Sequence, residues 1–378
     1  MNKLRRNLNS VRARMLMYYR ARRLQPKIVV FESDDWGAIR SSNRTAINYL
    51  ERKGYDLGQS PYSFDALESN QDLEELFNVL QSHRDSLGNA PCFTANVILA
   101  NPNFDLIKES EYGEYHYETL EKTLLKHVDS ARLLDLWKLG YNERLFIPQV
   151  HAREHVKYWK WMQDLRSEVK EALETYALGM CGVPKLVSKR GTSYYSPIYM
   201  DHEELMKRGI DQNLLITEAF ELFEKLLGFK SKSSIAPNCG WTDTTEKIWA
   251  SLGVKYIQGG FLQEHHWEDR VKYIPHFLGE KSKNGQMLYL VRNCTFEPAK
   301  STKENYWHST FNEVERALQL NIPAIISTHR VNYVGSIKAE MRENSLKQLN
   351  KLLTEIERKW PNIIYLNSTQ LGDMIYQD

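Results

Sequence analysis

Hydrophobic positions in this chain follow two alternating patterns. Short, continuous, largely β-branched runs occur at 27–31, 91–99, 144–150, 254–257, 286–291, 323–328 and 362–366, separated by longer stretches in which apolar residues recur every three or four positions. Continuous runs suit strands buried on both faces of a parallel sheet, and the helical recurrence suits helices packed on that sheet. Helices are predicted over 45–52, 72–87, 130–139 with Gly140 as terminator, 210–229, 243–252, 311–320 and 336–359. A further short strand, 233–241, breaks at Pro237 into a loop. Residues 104–117 are polar and aromatic without a clean period. Residues 159–207 carry charged helical sequence and then the aromatic stretch 191–200, an insertion expected to form a lid or rim. Strand–helix alternation otherwise runs unbroken from 27 to 378, so the expected fold is α/β, one barrel-type domain after a separate extension over 1–26.

That extension changes the picture of the surface. Residues 1–25 contain Lys3, Arg5, Arg6, Arg12, Arg14, Arg20, Arg22 and Arg23 and no acid, while Leu4, Leu8, Val11 and Met15 recur at helical spacing. Such a basic amphipathic helix either packs on the barrel with a solvated face or makes peripheral contact with an anionic membrane. The chain as a whole is nearly balanced, with 50 basic and 48 acidic side chains, which argues against a nucleic-acid partner. Nine Trp and 21 Tyr suit a sugar-stacking groove and a large core alike. Cys92, Cys181, Cys239 and Cys294 are widely spaced, with no C-x-x-C pair. With no apolar run of membrane-spanning length and no secretory leader, a soluble, cytoplasmic protein is expected.

Candidate chemistry gathers just past the predicted strands. The first strand runs into Ser33-Asp34-Asp35-Trp36-Gly37, placing two adjacent carboxylates where α/β folds collect ligands. Adjacent carboxylates repel unless a metal binds one and leaves the other free as a base, although either could instead cap the next helix. After the third strand comes HAREHV, whose His151 and His155 would share one face if the chain turned helically and could ligate one divalent ion. The same residues spell H-x-x-E-H, which offers a zinc-protease reading with Glu154 as base. The run 323–328 delivers His329. Glu264, His265 and His266 could form another site, but EHHWEDR suits a solvated loop.

In this order the motifs resemble the polysaccharide deacetylase (NodB-like) family of metal-dependent carbohydrate esterases, over nearly all of 27–374. The resemblance implies an irregular (β/α)7-type barrel of the glycoside hydrolase/deacetylase kind, with insertions. It implies Asp34 as general base, Asp35, His151 and His155 as ligands of a divalent metal, zinc first, and His329 as proton donor to the leaving group. It implies a carbohydrate substrate and hydrolytic deacetylation. Residues 236–240 (APNCG) stand where the family has Arg-Pro-Pro-aromatic-Gly, so Cys239, Gly240 and Trp241 are expected to contact substrate and oxyanion. The family arginine, which orients the base, is Ala236 here. Arg40, Arg153 or Arg330 is expected to replace it, Arg330 foremost, with Trp36 as a further auxiliary. No acid partner for His329 is evident near Gln258. The alternative is a catalytically impaired carbohydrate- or metal-binding relative.

Overall fold

The computed structural model describes residues 12–55, 57, 60–182, 194–301 and 305–377. Nine strands form one parallel sheet: β1 (Lys27–Trp36), β2 (Phe93–Ile98), β3 (Phe146–Ala152), β4 (Ser233–Ser234), β5 (Tyr256–Gly259), β6 (Leu288–Val291), β7 (Cys294–Thr295), β8 (Ala324–His329) and β9 (Ile363–Tyr365). Their order is β6-β5-β4-β3-β2-β1-β8-β7, with β9 also paired to β1. The two ends of this path are successive parts of one chain segment. β6 pairs with β5, the Arg292 N–H then donates to Gly259 O at 2.9 Å, the Asn293 N–H donates to Ile325 O at 3.1 Å, and β7 pairs with β8. Residues 288–295 thus form a seventh stave that changes partner midway, and the sheet curls into the expected α/β barrel. The short β7 lies outside the predicted runs, because two residues carry no periodicity.

Continuous apolar runs form the staves because both faces are covered. Ile28 to Phe31, Ala324 to Ile326 and Leu290 are fully buried, and helices pack outside them. Helix starts follow local capping. Ser69 and Asp72 form a capping box on Asn70–Gln81, and Asp211 caps Gln212–Leu227, which Gly228 ends in the left-handed region at φ 80°. The first of these helices stops at Gln81 rather than 87, because Asp85 accepts from the N–H groups of Leu87 and Asn89 and fixes a turn.

Gly140 is a second difference, since it lies inside helix Leu133–Asn142 and not at its end. A Cβ there would sit 2.7 Å from Phe146 Cβ and from Phe77 Cζ, so the glycine lets the helix approach the sheet. Gly140→Ala is expected to cost about 1–3 kcal/mol through overpacking, measurable as a lower urea midpoint; an unchanged midpoint would contradict this account of the packing.

Residues 12–20 are helical and lie against the barrel, with Met17, Tyr18 and Ala21 in the main core. Within the predicted insertion, helices Tyr158–Arg166 and Lys170–Ala177 build a small core of their own around Trp161, Leu165 and Tyr176. Residues 191–193 of the aromatic stretch lie outside the described residues. The segment EHHWEDR is a loop only in its second half: Glu264 to His266 end the strand Leu262–His266, and 267–270 join it to Val271–Pro275 in an antiparallel hairpin. No helix among the described residues is long and apolar enough to cross a membrane.

Candidate active site

β1 extends through Trp36, so the two acids belong to the strand itself. In a regular strand Asp34 and Asp35 would point to opposite faces. Here the register against β2 shifts between Ser33 and Trp36, and Asp35 sits at φ 78°. This left-handed residue in a bulge turns both carboxylates into one cavity of about 560 Å³ at the carboxyl end of the staves.

Asp35 meets the two histidines there. Its Oδ1 lies 3.6 Å from His151 Nε2 and 3.7 Å from His155 Nε2, and all three side chains are buried. Those spacings are too long for hydrogen bonds. They lie at or just above the spacing of about 3.3–3.6 Å between ligand atoms placed at roughly 2.0–2.2 Å around a tetrahedral ion. The donor chemistry fits as well. His151 Nδ1–H donates to Ile235 O at 2.9 Å, which leaves Nε2 with a lone pair facing Asp35. Burial pushes His155 down to about 3, so its imidazole is neutral. Burial opposes the charge of Asp35, but Arg40, bonded to Oδ2 at 3.1 Å, outweighs it with help from the histidines and holds the carboxyl well below its usual range. Oδ1 is left for a metal. The arrangement does not depend on a helix: His151 is in β3 and His155 in the following loop.

Two ion pairs flank this centre. Arg292 grips Asp34 in a bidentate pair, both contacts 2.7 Å, and Asn96 Nδ2–H donates to Asp34 Oδ1 at 2.7 Å. Burial again raises the cost of the charge, and Arg292 overcomes it, keeping Asp34 ionised. Arg292 also bonds Glu32 at 2.7 Å, whose own carboxyl is raised by burial. Across the cavity, His329 Nδ1–H donates to Glu297 Oε1, and Asn332 donates to Glu297 Oε2 at 2.9 Å. Burial lowers the His329 pKa, but Glu297 foremost, with Asp34 and Asp35, outweighs it, so the net displacement is upward. His329 Nε2 lies 3.9 Å from Asp34 Oδ2. Base and acid candidates therefore face each other beside the three-ligand centre.

The cation that steadies Asp34 is thus Arg292, and not Arg330, Arg40 or Arg153. Arg330 is fully buried between Asp65 and Glu68, at 2.8 and 3.0 Å, because those acids need a charge of their own. Arg40 serves Asp35. Arg153 pairs with Glu154 and Glu218. Glu154 is buried in that pairing and, unlike Asp34, is not among the described residues that line the cavity with Asp35, His151 and His155, which leaves the zinc-protease reading without its base there. Trp36 is a core residue, its Nε1–H bonded to Ser33 Oγ at 3.0 Å and its ring packed on Phe146 and Tyr333. Trp241 is likewise buried and bonded to Glu246 at 3.0 Å. The N–H groups of Cys239 and Gly240 donate within their own turn, to Ala236 and Pro237 carbonyls at 3.0 and 3.1 Å, so neither is free for an oxyanion. From that loop Asn238 and Cys239 line the cavity. His265 stacks on Trp267 with centroids 4.0 Å apart and His266 bonds Glu264 at 2.7 Å; among the described residues no three-residue metal cluster forms there.

Sequence reasoning missed Arg292, Glu297, Glu32 and Asn96. Arg292 carried a signal, since it directly follows the apolar run 286–291 as Asp34 follows the first run. Glu297, beyond the unpredicted β7, carried none.

Because Glu297 raises the His329 pKa, Glu297→Gln is expected to let burial dominate and lower it. If protonated His329 is required, the alkaline limb of activity should move to lower pH by about 1–3 pH units. A pH–rate profile identical to the parent's would remove Glu297 from this role.

No family model matches the chain, and no curated protein matches it. Solved structures do. A 4-alpha-glucanotransferase from Thermococcus litoralis shares 9% identity at a TM-score of 0.41, covering 92% of this chain and 40% of the other. Puue allantoinase shares 9% at 0.45, covering 92% and 89%. A family 4 acetyl xylan esterase from Clostridium thermocellum, in complex with a cobalt ion, shares 9% at 0.37, covering 92% and 91%. The chain thus spans less than half the length of the glucanotransferase. At this identity none of the three transfers a residue role to this chain.

Proposed function

We propose that the protein is a metal-dependent hydrolase that removes acetyl groups from a carbohydrate. The observation that carries this reading is the buried grouping of Asp35, His151 and His155 with the Arg292-paired carboxylate of Asp34 on one side and the Glu297-bonded imidazole of His329 on the other, Asp34 Oδ2 and His329 Nε2 being 3.9 Å apart. Asp35, His151 and His155 would hold the ion, zinc being the best match to two imidazoles and one carboxylate. When bound, it supplies Lewis acidity toward a carbonyl oxygen and toward water. Asp34 accepts the proton of the attacking water, and Arg292 keeps its carboxylate charged and aimed. His329 Nε2–H gives a proton to the departing amine or alcohol, while Glu297 holds Nδ1–H and so fixes which nitrogen faces the cavity. Acetylated sugars follow from the order of Ser33-Asp34-Asp35, His151 with His155, and Ser327-Thr328-His329, which resembles carbohydrate-esterase motifs.

The test is metal analysis of the purified protein, then acetate release from acetylated amino sugars, nucleotide sugars and oligosaccharides, before and after chelation. Zinc bound near one equivalent per chain, with release that chelation abolishes, is the expected result. Zinc-loaded protein that releases no acetate from any of these would overturn the reading.

A further inference from the structure

We infer that the helix over residues 12–20 docks the protein on an anionic membrane surface through the face it turns away from the barrel. At 3.6 residues per turn, positions 12, 15, 16 and 19 fall within an arc of about 100°, and positions 14, 17, 18 and 21 fall opposite. The two faces have different fates. Met17, Tyr18 and Ala21 are buried against the barrel, and Arg14, Met17 and Tyr18 are among the residues lining the cavity that holds Asp34, Asp35 and His329. On the outward face Met15, Leu16 and Tyr19 are 67%, 44% and 78% exposed, three large apolar side chains side by side with Arg12.

Burial of the inner face accounts for the helix; among the described residues nothing covers Met15, Leu16 and Tyr19 on the outer one. In sequence, Leu4, Leu8 and Val11 continue the stripe of Met15 and Tyr19 at helical spacing, and residues 1–25 carry eight basic side chains and no acid. Apolar side chains with a tyrosine, bordered by arginines, are the composition that seats a helix at the boundary between headgroups and acyl chains. Basic residues near an anionic leaflet each add to binding. Self-association through this face is disfavoured by the same charges, which would repel between two copies. Arg20, at the end of the helix, is already committed to Glu280 at 3.2 Å and to the face of Phe277. Docking therefore draws on Arg12 and the preceding basic residues, and does not disturb the packing of the helix on the barrel. The inference is independent of the chemistry proposed above.

The experiment is co-sedimentation of the full-length chain with vesicles of phosphatidylcholine alone or mixed with phosphatidylglycerol. Binding to the mixed vesicles is expected, at least tenfold weaker for phosphatidylcholine alone and weakened by high salt. The triple substitution Met15→Glu, Leu16→Glu, Tyr19→Glu should lose at least tenfold in vesicle binding with the unfolding midpoint and metal content unchanged. Arg12→Glu is a milder second variant with the same direction of effect, should the triple one unfold. Equal binding to both vesicle types, no binding to either, or undiminished binding by the variants would overturn the inference. So would a dimer in solution that the same substitutions dissolve.

Discussion

Asp34→Asn is expected to lower turnover by about 10²–10⁴-fold, the usual range for loss of a positioned general base, while metal content stays at the parent's level. The separation of the two readouts follows from geometry. Asp34 is not among the three converging ligand atoms, which belong to Asp35, His151 and His155. His151→Ala should lose metal and activity together, because it removes a ligand atom 3.6 Å from Asp35 Oδ1. The amide introduced by Asp34→Asn would also turn an N–H toward Arg292, so part of the loss can come from disorder at the site. Measuring unfolding and metal content on the same preparation separates these. An Asp34→Asn enzyme that is folded, metal-loaded and fully active would end the assignment of Asp34 as base.

Arg292→Ala is expected to be the most disruptive single change to this site in both stability and activity. Arg292 is nearly buried and bonds two buried carboxylates, Glu32 and Asp34. Removing one partner of a buried ion pair leaves charge without compensation and typically costs about 3–5 kcal/mol. The pH dependence follows with a definite sign. In the parent, Arg292 depresses the Asp34 pKa against burial, so the pair contributes stability above the ordinary carboxylate pKa, lost as pH falls through the lowered value. Without Arg292, burial, the largest influence on Asp34, is opposed only by the weaker pull of His151 and His329 and by the Asn96 hydrogen bond, so the Asp34 pKa rises. The acidic limb of activity should then move to higher pH, and the variant should be least impaired at alkaline pH. Arg292→Lys should restore part of the stability but less of the activity, since a point charge cannot reproduce two parallel bonds to one carboxylate. A variant with parental stability and an unmoved acidic limb would show that Asp34 is steadied by something else.

The alternation of apolar runs and amphipathic stretches was enough to place eight of the nine sheet strands, because each depends on residues adjacent in sequence. The candidate metal ligands and the two acid–base candidates were legible for the same reason: each is a polar residue at, or just beyond, the end of an apolar run. Even there the local detail was hidden. The two adjacent aspartates face one cavity only because a bulge against β2 gives Asp35 a left-handed backbone, which no side-chain pattern records.

Partnership was the part that sequence could not supply. Arg292 lies 258 positions from Asp34 and Glu297 32 positions from His329. Arg330, adjacent to His329 in sequence, goes instead to Asp65 and Glu68. A buried carboxylate takes whichever cation the fold delivers within hydrogen-bond reach, and in a parallel barrel neighbouring staves are separated by long crossovers. By itself, then, the sequence determined the alternating architecture and the side chains offered at the strand ends. Only the tertiary structure decided that residues 288–295 change partner to complete the barrel, and so carry Arg292 to Asp34.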